Sequence, residues 1–203
     1  MGLIYANMSM SLDGFIAGPN VKVGNGMGDD GDRLHDWMFQ GKSDDEVSAF
    51  LENELASTGA FVMGRTMLDV GIGPWGDEPA FHAPVFVLTH RPAEPIVKRG
   101  GTTYTFVAAG PEAALNLART AAGGKDIRIE GGGVTVREFL RTGLVDELRL
   151  HVVPILLGAG TRLFGGPEDR SVELSAKGRV DDAGVAHLRC SVRVPSPVTS
   201  PVA

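Results

Sequence analysis

The chain has 203 residues, 43% hydrophobic and 22% charged, a composition typical of one globular domain with a real core. Its net charge of −6 argues against nucleic acid as the main partner, since nucleic-acid-binding proteins usually carry a basic excess. One cysteine, Cys190, excludes an intramolecular disulfide. The first residues form neither a basic leader nor an apolar span, so we expect a cytoplasmic protein without a membrane partner. The five histidines show no metal-ligand spacing, and we expect no metal site.

Hydrophobic periodicity predicts alternating strands and helices through most of the chain. Strands are predicted at residues 3–10, 60–64, 84–90, 103–108, 126–130 and 147–158. Helices are predicted at residues 33–41, 43–59, 65–71, 111–122 and 134–143. Ser43 and Glu46 form a capping box, Gly41 and Gly59 are predicted helix ends, and Pro111 suits a first helical turn.

The last third has antiparallel character. Residues 171–180 and 185–194 alternate in hydrophobicity and are joined by DDAG, a hairpin signal. The sequence therefore predicts an α/β fold of three layers: a mixed, mostly parallel central sheet, helices on both faces and a C-terminal antiparallel hairpin. We expect one domain over residues 1–194 and a disordered Pro/Ser-rich tail over 195–203.

Four predicted junctions where a strand runs into a loop carry Gly, Ser, Thr or Arg. They are SLDG (11–14), GRT (64–66), LTHR (88–91) and GGG (131–133). Ligands of parallel sheets bind at the carboxyl ends of strands, so these junctions could frame one cleft. GGG before a helix suits an anion, but a lone GGG is more often a plain turn, and the GxGxxG fingerprint is absent.

The order of these motifs resembles a known family. MSMSLDGFIA (8–17), VMGRTML (62–68), VFVLTHRP (85–92) and the segment IRIEGGG to TRLF (127–164) are similar to the dihydrofolate reductase-like family. The nearer resemblance is to the reductase domain of the bacterial bifunctional riboflavin-biosynthesis deaminase/reductase and its stand-alone relatives. It spans about residues 3–193, and we expect only the reductase half to be present.

The resemblance implies NADPH as cofactor and hydride transfer to a pterin-like ring or a ribosylated pyrimidine. It assigns the cofactor to residues at all four junctions: Ser9, Ile16, Gly64, Arg65, Thr66, Leu88, Thr89, His90, Arg91, Gly131, Gly132, Gly133 and Val134. In relatives the first two glycines are often joined by a cis peptide. Val134 stands where folate enzymes often carry an arginine, so the preference for NADPH rests on Arg65, His90 and Arg91.

The resemblance also implies a substrate pocket that includes Asn7, Asp36 and Thr161. Asp36, beside Trp37 in the first predicted helix, is the candidate proton donor, because apolar neighbours disfavour a charged carboxylate. An exposed position at the start of that helix is the competing interpretation. Asp13 is expected to shape its loop, and Glu130 and Asp146 to be structural.

Three functions stay open at this point. The first is a reductase of a small heterocycle, and the second is a nucleotide-binding protein of the same fold without reductase activity. The third is a scaffold that only exposes a dimer face, against which the glycines at strand ends argue. The resemblance implies a homodimer.

Overall fold

A computed structural model of the chain describes residues 2–40, 45–166 and 171–193. Its strands are β1 (Ile4–Ser11), β2 (Phe15–Ala17), β3 (Thr58–Gly64), β4 (Pro84–Leu88), β5 (Ile96–Val97), β6 (Thr103–Val107), β7 (Asp126–Gly131), β8 (Glu147–Val153), β9 (Thr161–Arg162), β10 (Glu173–Val180) and β11 (Ala186–Arg193). Its α-helices are α1 (Asp36–Gln40), α2 (Asp45–Ser57), α3 (Arg65–Gly71), α4 (Pro111–Ala122) and α5 (Gly133–Arg141). Short 3-10 helices lie at Gly31–Leu34 and Arg99–Gly101.

Nine strands form one sheet in the order β10-β11-β8-β1-β7-β3-β4-β6-β5. The six strands from β8 to β6 run parallel. At the edges, β11 is antiparallel to β8, β10 is antiparallel to β11, and β5 is antiparallel to β6. The mixed, mostly parallel sheet with a C-terminal antiparallel hairpin is therefore confirmed. Because the parallel strands point the same way, their carboxyl ends share one edge of the sheet.

Helices cover both faces of the sheet, because alternate residues of the central strands point to opposite sides. Ala60 and Val62 pack with buried residues of α4 and α5, including Leu115 and Phe139. Phe61 and Met63, which alternate with them in sequence, pack instead with Leu68 of α3 and with Leu55 of α2. The predicted three layers thus follow from side-chain alternation along a sheet buried on both sides.

Several element boundaries differ from the predictions. The strand predicted over 147–158 ends at Val153, since Pro154 has no N–H for the ladder. Gly59 does not end α2 but lies within β3, where a Cβ would come 2.7 Å from the carbonyl oxygen of Ala122. Glycine is needed there for close packing against the end of α4.

The sequence did not indicate the short strands β2, β5 and β9. The predicted helix end at Gly41, the N-cap at Ser43 and the tail over 195–203 lie outside the described residues. Within the described residues, no helix has the length and apolar character needed to cross a bilayer.

Candidate functional site

A cavity of about 930 Å³ opens at the carboxyl edge of the parallel strands. Its walls come from the ends of β1, β3, β4, β6 and β7 and from the loops that follow them. Three predicted junctions contribute directly, through residues that include Gly64, Thr89 and Gly132, and SLDG (11–14) contributes through the flanking residues Ser9 and Ile16. The predicted cleft is thus one continuous space, of the size that ligand-binding pockets usually have.

The glycine turn links β7 to α5. Gly131 has φ +113°, which favours glycine, and the Gly131–Gly132 peptide is cis, as the resemblance implied. Gly132 is the N-cap of α5, and a Cβ built on it would meet no described atom within 4 Å. A Cβ on Gly133 would approach the carbonyl oxygen of Arg162 to 3.1 Å. Of these glycines, Gly132 is therefore the one whose missing side chain leaves open space inside the cavity.

Two helix N-termini line this side of the cavity. Gly132, Gly133 and Val134 begin α5, and Gly110 and Pro111 begin α4. The first N–H groups of a helix have no partner within the helix, and the helix dipole adds partial positive charge there. This half of the cavity therefore suits an anionic group such as a phosphate.

Arginines stand beside these helix ends. Arg65, at the start of α3, binds Asp69 with 2.7 Å between Nε and Oδ1 and lies over the ring of Phe106. Arg91 reaches the other oxygen of Asp69 at 3.5 Å and is 74% exposed. Both arginines line the cavity, so Asp69 holds two cations at its rim.

The opposite side of the cavity lies over a row of buried charges on one face of the sheet. Arg128 of β7 pairs with Glu130 at 2.9 Å, and both line the cavity. Burial raises the pKa of the Glu130 carboxyl, and neighbouring Arg128 offsets this only in part. A carboxyl in such surroundings holds a proton more readily than one in water.

Below this pair, α2 contributes a buried carboxylate. Glu54 is 3% exposed and accepts hydrogen bonds from Arg149 and from the side-chain amide of Asn7, each at 2.6 Å. Asn7 lines the cavity, so this network supports the cavity floor from beneath. The Arg149 guanidinium also lies 3.7 Å over the ring of Tyr5.

Aromatic rings close the same side of the cavity. Trp37 of α1 packs at a tilt against His151 of β8, with ring centroids 4.5 Å apart, and its indole N–H donates to Ser9 at 3.1 Å. His151 is 3% exposed and lines the cavity. Trp37 therefore contacts both Ser9 of β1 and His151 of β8, which are opposite each other in the parallel β1–β8 ladder.

A sequence profile of the RibD C-terminal domain matches residues 3–188, most of the chain. The chain belongs to the RibD C-terminal domain family. This membership supports a reductase-type function and agrees with the fold.

Individual relatives show the same fold. A protein of Shewanella sp. PV-4 whose name proposes a role in riboflavin biosynthesis is 27% identical, with a TM-score of 0.69 over 96% of this chain and all of that one. Dihydrofolate reductase of Enterococcus faecalis is 16% identical, with a TM-score of 0.56 over 95% of this chain and 98% of that one. At that identity the likeness shows the fold alone.

Other relatives match over part of their length. Acinetobacter baumannii RibD is 16% identical with a TM-score of 0.62, and the match covers 96% of this chain but 59% of that one. The uncharacterized protein YyaP of Bacillus subtilis strain 168 is 37% identical over 65 residues, which are 32% of this chain and 35% of that protein.

The cavity brings together nearly all residues that were predicted from the sequence to bind cofactor or substrate. Besides the helix-end residues, they are Asn7, Ser9, Ile16, Gly64, Arg65, Thr66, Leu88, Thr89, His90, Arg91 and Thr161. Gly131 is buried at the end of β7 and does not line the cavity. Asp13 has the predicted loop-shaping contacts, since it accepts hydrogen bonds from Ser11 and from the backbone N–H of Leu157 and Gly158.

The predicted environment of Asp36 is wrong. Asp36 is the first residue of α1, is exposed, and does not line the cavity. One helical turn presents neighbouring residues to different sides, and here Trp37 takes the buried position. Asp36 therefore lacks the apolar surroundings from which its role as proton donor was inferred.

The sequence reasoning also missed functional candidates on the sheet. Glu130 was expected to be structural, and Arg128 and His151 were not considered, although all three line the cavity. A signal existed, because Arg128 and Glu130 alternate with buried Ile127 and Ile129 in a strand with neighbours on both sides. Charges on a covered face of a central strand need partners or a ligand.

Metal binding finds no support in the described geometry. Among the described residues, no three His, Cys, Asp or Glu side chains are grouped so that they could hold a metal ion.

Proposed function

We propose that this protein is an NADPH-dependent reductase of a small heterocycle, either pterin-like or a ribosylated aminopyrimidine. The observation that carries the proposal is that one cavity joins an anion-binding half to a half lined with buried polar groups. Gly132 and the α5 N-terminus belong to the first half, and Asn7, Glu130 and His151 to the second. A cofactor with a pyrophosphate and a polar ring can place each end beside matching chemistry.

The residues of the first half fit the cofactor. The open space beside Gly132 is a cradle that any side chain would fill, next to N–H groups at the ends of α4 and α5. Arg65 and Arg91 supply positive charge for a phosphate, and His90 lies beside them in the loop after β4. When bound, the dihydronicotinamide supplies a hydride to a C=N carbon, after which the substrate nitrogen needs one proton.

The residues of the second half fit a heterocycle with several donors and acceptors. Glu130 offers carboxylate oxygens, Asn7 an amide and Arg128 a guanidinium, all held by partners inside the protein. A ring that pairs with these groups leaves fewer of them unsatisfied, whereas a purely apolar ligand would bury them without partners. This difference favours pterin-like and aminopyrimidine rings over hydrocarbons.

Titration with NADPH, followed by its fluorescence, tests the cofactor half. We expect binding below millimolar concentration, and its absence would contradict the proposal. Gly132→Val should fold normally, because Gly132 has φ −72° and its Cβ meets no described atom within 4 Å. Its side chain would occupy the cradle, and we expect at least about 100-fold weaker NADPH binding, or about 2.7 kcal/mol.

Gly73→Val is the matched control. A Cβ on Gly73 also meets no described atom within 4 Å, but Gly73 does not line the cavity. It should bind NADPH with wild-type affinity and give the same far-UV circular dichroism. If the Gly132 and Gly73 variants bound NADPH with equal affinity, the cofactor would not occupy the open space beside Gly132.

A nucleotide-binding protein without reductase activity is the second candidate, and the exposed position of Asp36 favours it. The two functions differ in turnover. Oxidation of NADPH at 340 nm with a panel of dihydropterins and ribosylated aminopyrimidines supports the reductase. Tight NADPH binding without oxidation by any member of the panel supports the second candidate.

A further inference from the structure

Three titratable side chains form a hydrogen-bonded chain that leads from the β10–β11 turn to the cavity. The Nδ1 atoms of His151 and His187 are 2.7 Å apart, and Nε2 of His187 is 2.9 Å from Oδ2 of Asp181. Asp181 follows the end of β10, His187 lies in β11, and His151 in β8 lines the cavity.

The sheet and a neighbouring ring hold this chain in place. His151 and His187 are directly opposite each other in the antiparallel β8–β11 ladder. Trp37 packs on both imidazoles, with centroids 4.5 Å from His151 and 5.1 Å from His187. Asp181 is fixed by the N–H of Val185, which donates to Oδ1 at 2.8 Å. The geometry is therefore set by backbone register and packing.

The contacts determine where the protons lie. The carboxylate of Asp181 accepts from Nε2–H of His187. Two imidazole nitrogens at 2.7 Å need one proton between them, because two lone pairs would repel. When His187 is neutral, its Nδ1 accepts from Nδ1–H of His151. When His187 is an imidazolium, it donates through Nδ1, and the proton of neutral His151 then sits on Nε2.

We propose that Asp181, His187 and His151 form a proton relay that supplies the substrate nitrogen in the cavity. The inference rests on the proposed function, since it assigns the source of the proton that a reductase of a C=N bond needs. His151 is the catalytic residue of the relay, and His187 and Asp181 act through it.

The transfer balances in protons and charge. The substrate nitrogen, which becomes basic once its neighbouring carbon has accepted hydride, takes the proton from Nε2 of His151. Nδ1 of His151 takes the proton from Nδ1 of His187. His187 is left neutral and still donates Nε2–H to Asp181. After the product leaves, a proton from water binds Nε2 of His151 while the Nδ1 proton returns to His187, which restores the starting state. His151 changes tautomer and never carries net charge.

The surrounding charges and burial keep His151 neutral. His151 is buried and faces His187, Arg128 and Arg149, which together with desolvation lower its pKa to about 3 despite the opposing charge of Asp181. Burial raises the pKa of the Asp181 carboxyl, but the hydrogen bonds from His187 and Val185 outweigh this, so the carboxyl stays ionised beside His187. The His187 side chain is 12% exposed, which leaves a route to solvent.

Nitrogen-15 NMR of the histidine rings tests the relay without any substrate. We expect His151 to stay neutral near neutral pH, and its tautomer to follow the protonation state of the hydrogen-bonded His187 ring. Asp181→Asn should change the chemical shift of Nε2 of His187, because the carboxylate that accepts its N–H is removed. Independent titrations of the two rings, or a charged His151 near neutral pH, would overturn the proposal.

Kinetics give the second test, with the substrate that oxidises NADPH fastest in the panel. His151→Gln should lower kcat about 100-fold with NADPH affinity unchanged, as expected for loss of a general acid. His187→Gln should also lower kcat, because Nδ1 of His151 then has no imidazole from which to take a proton. The exposed His82, which does not line the cavity, provides the control His82→Gln.

The outcomes separate the relay from the proposed function. A wild-type kcat and pH profile in His151→Gln would overturn the relay while the reductase stands. Failure of the wild type to bind NADPH would contradict the reductase, and the ring titrations would still decide whether the histidines are coupled. Far-UV circular dichroism of each variant confirms that the compared proteins are folded.

Discussion

Replacement of Glu54 by glutamine should destabilise the protein strongly. Glu54 is 3% exposed, binds Arg149 at 2.6 Å and lies 3.9 Å from Arg128. Glutamine keeps the shape but removes the negative charge. Arg149, with its side chain 7% exposed, then keeps Glu147 as its remaining carboxylate at 2.6 Å.

The size of the effect follows from these contacts. Removing one partner of a buried ion pair costs about 3–5 kcal/mol, because a charge is left uncompensated in a medium of low polarity. Glu147 and Glu130 still neutralise part of the charge on the two arginines, so we expect about 3 kcal/mol. With a urea m-value of about 3 kcal/mol/M for a chain of this size, the midpoint should fall by about 1 M.

Urea unfolding followed by tryptophan fluorescence measures this change. Glu52→Gln is the matched control, because Glu52 is exposed on the same helix and its replacement should stay within about 0.5 kcal/mol of wild type. A loss below about 1 kcal/mol for Glu54→Gln would refute the reasoning. It would mean that Glu147 alone neutralises Arg149.

Three further predictions concern other buried or paired groups. Tyr104→Phe should stabilise the protein by about 1 kcal/mol in urea unfolding, because the fully buried hydroxyl has no hydrogen-bond partner among the described residues. Burial also raises the pKa of Tyr104 to about 12, so the phenol stays neutral. Asp69→Asn should bind NADPH a few-fold more tightly by fluorescence titration, since Arg65 and Arg91 lose a competing anion at the partly exposed rim of the cavity, where such pairs are worth about 0.2–1 kcal/mol. The low pKa of His151 should by itself lower the free energy of unfolding by about 2 kcal/mol from pH 7 to pH 5, and His151→Gln should remove this contribution. The folded pKa of about 3 lies below the unfolded value of about 6.5, so only the unfolded state gains a proton there.

Each of these predictions has a control and a contrary outcome. Tyr5→Phe should destabilise the protein, because the Tyr5 hydroxyl is hydrogen-bonded to Thr58 at 2.8 Å. An equal loss of stability in Tyr104→Phe would contradict the inference that the Tyr104 hydroxyl lacks a partner among the described residues. Asp77→Asn breaks an ion pair with Lys98 outside the cavity and should leave NADPH affinity unchanged. If Asp69→Asn and Asp77→Asn raised NADPH affinity equally, the gain would come from the change in net charge of the protein. A pH slope in His151→Gln as steep as in wild type would assign the slope to other groups.

Local patterns in the sequence were sufficient for most of the fold. Alternation and apolar runs identified the six parallel strands, because strand geometry imposes a period of two residues over a few neighbours. The DDAG hairpin and the glycine turn before α5 could also be predicted from the sequence, since turns depend on backbone freedom at single positions. The resemblance then assigned the cavity-lining residues Gly64, Arg65 and Thr89, which the carboxyl edge of the sheet brings together.

The tertiary structure decided which polar side chains share a buried space. The sequence placed the acid at Asp36, but the turn of α1 exposes it and buries Trp37. Glu54 and Arg149 are 95 residues apart in the chain, and His151 and His187 are 36 apart, yet each pair is in direct contact. Secondary structure follows from neighbours in sequence, whereas pairing of buried charges follows from strand register and helix docking, which bring distant residues together away from water.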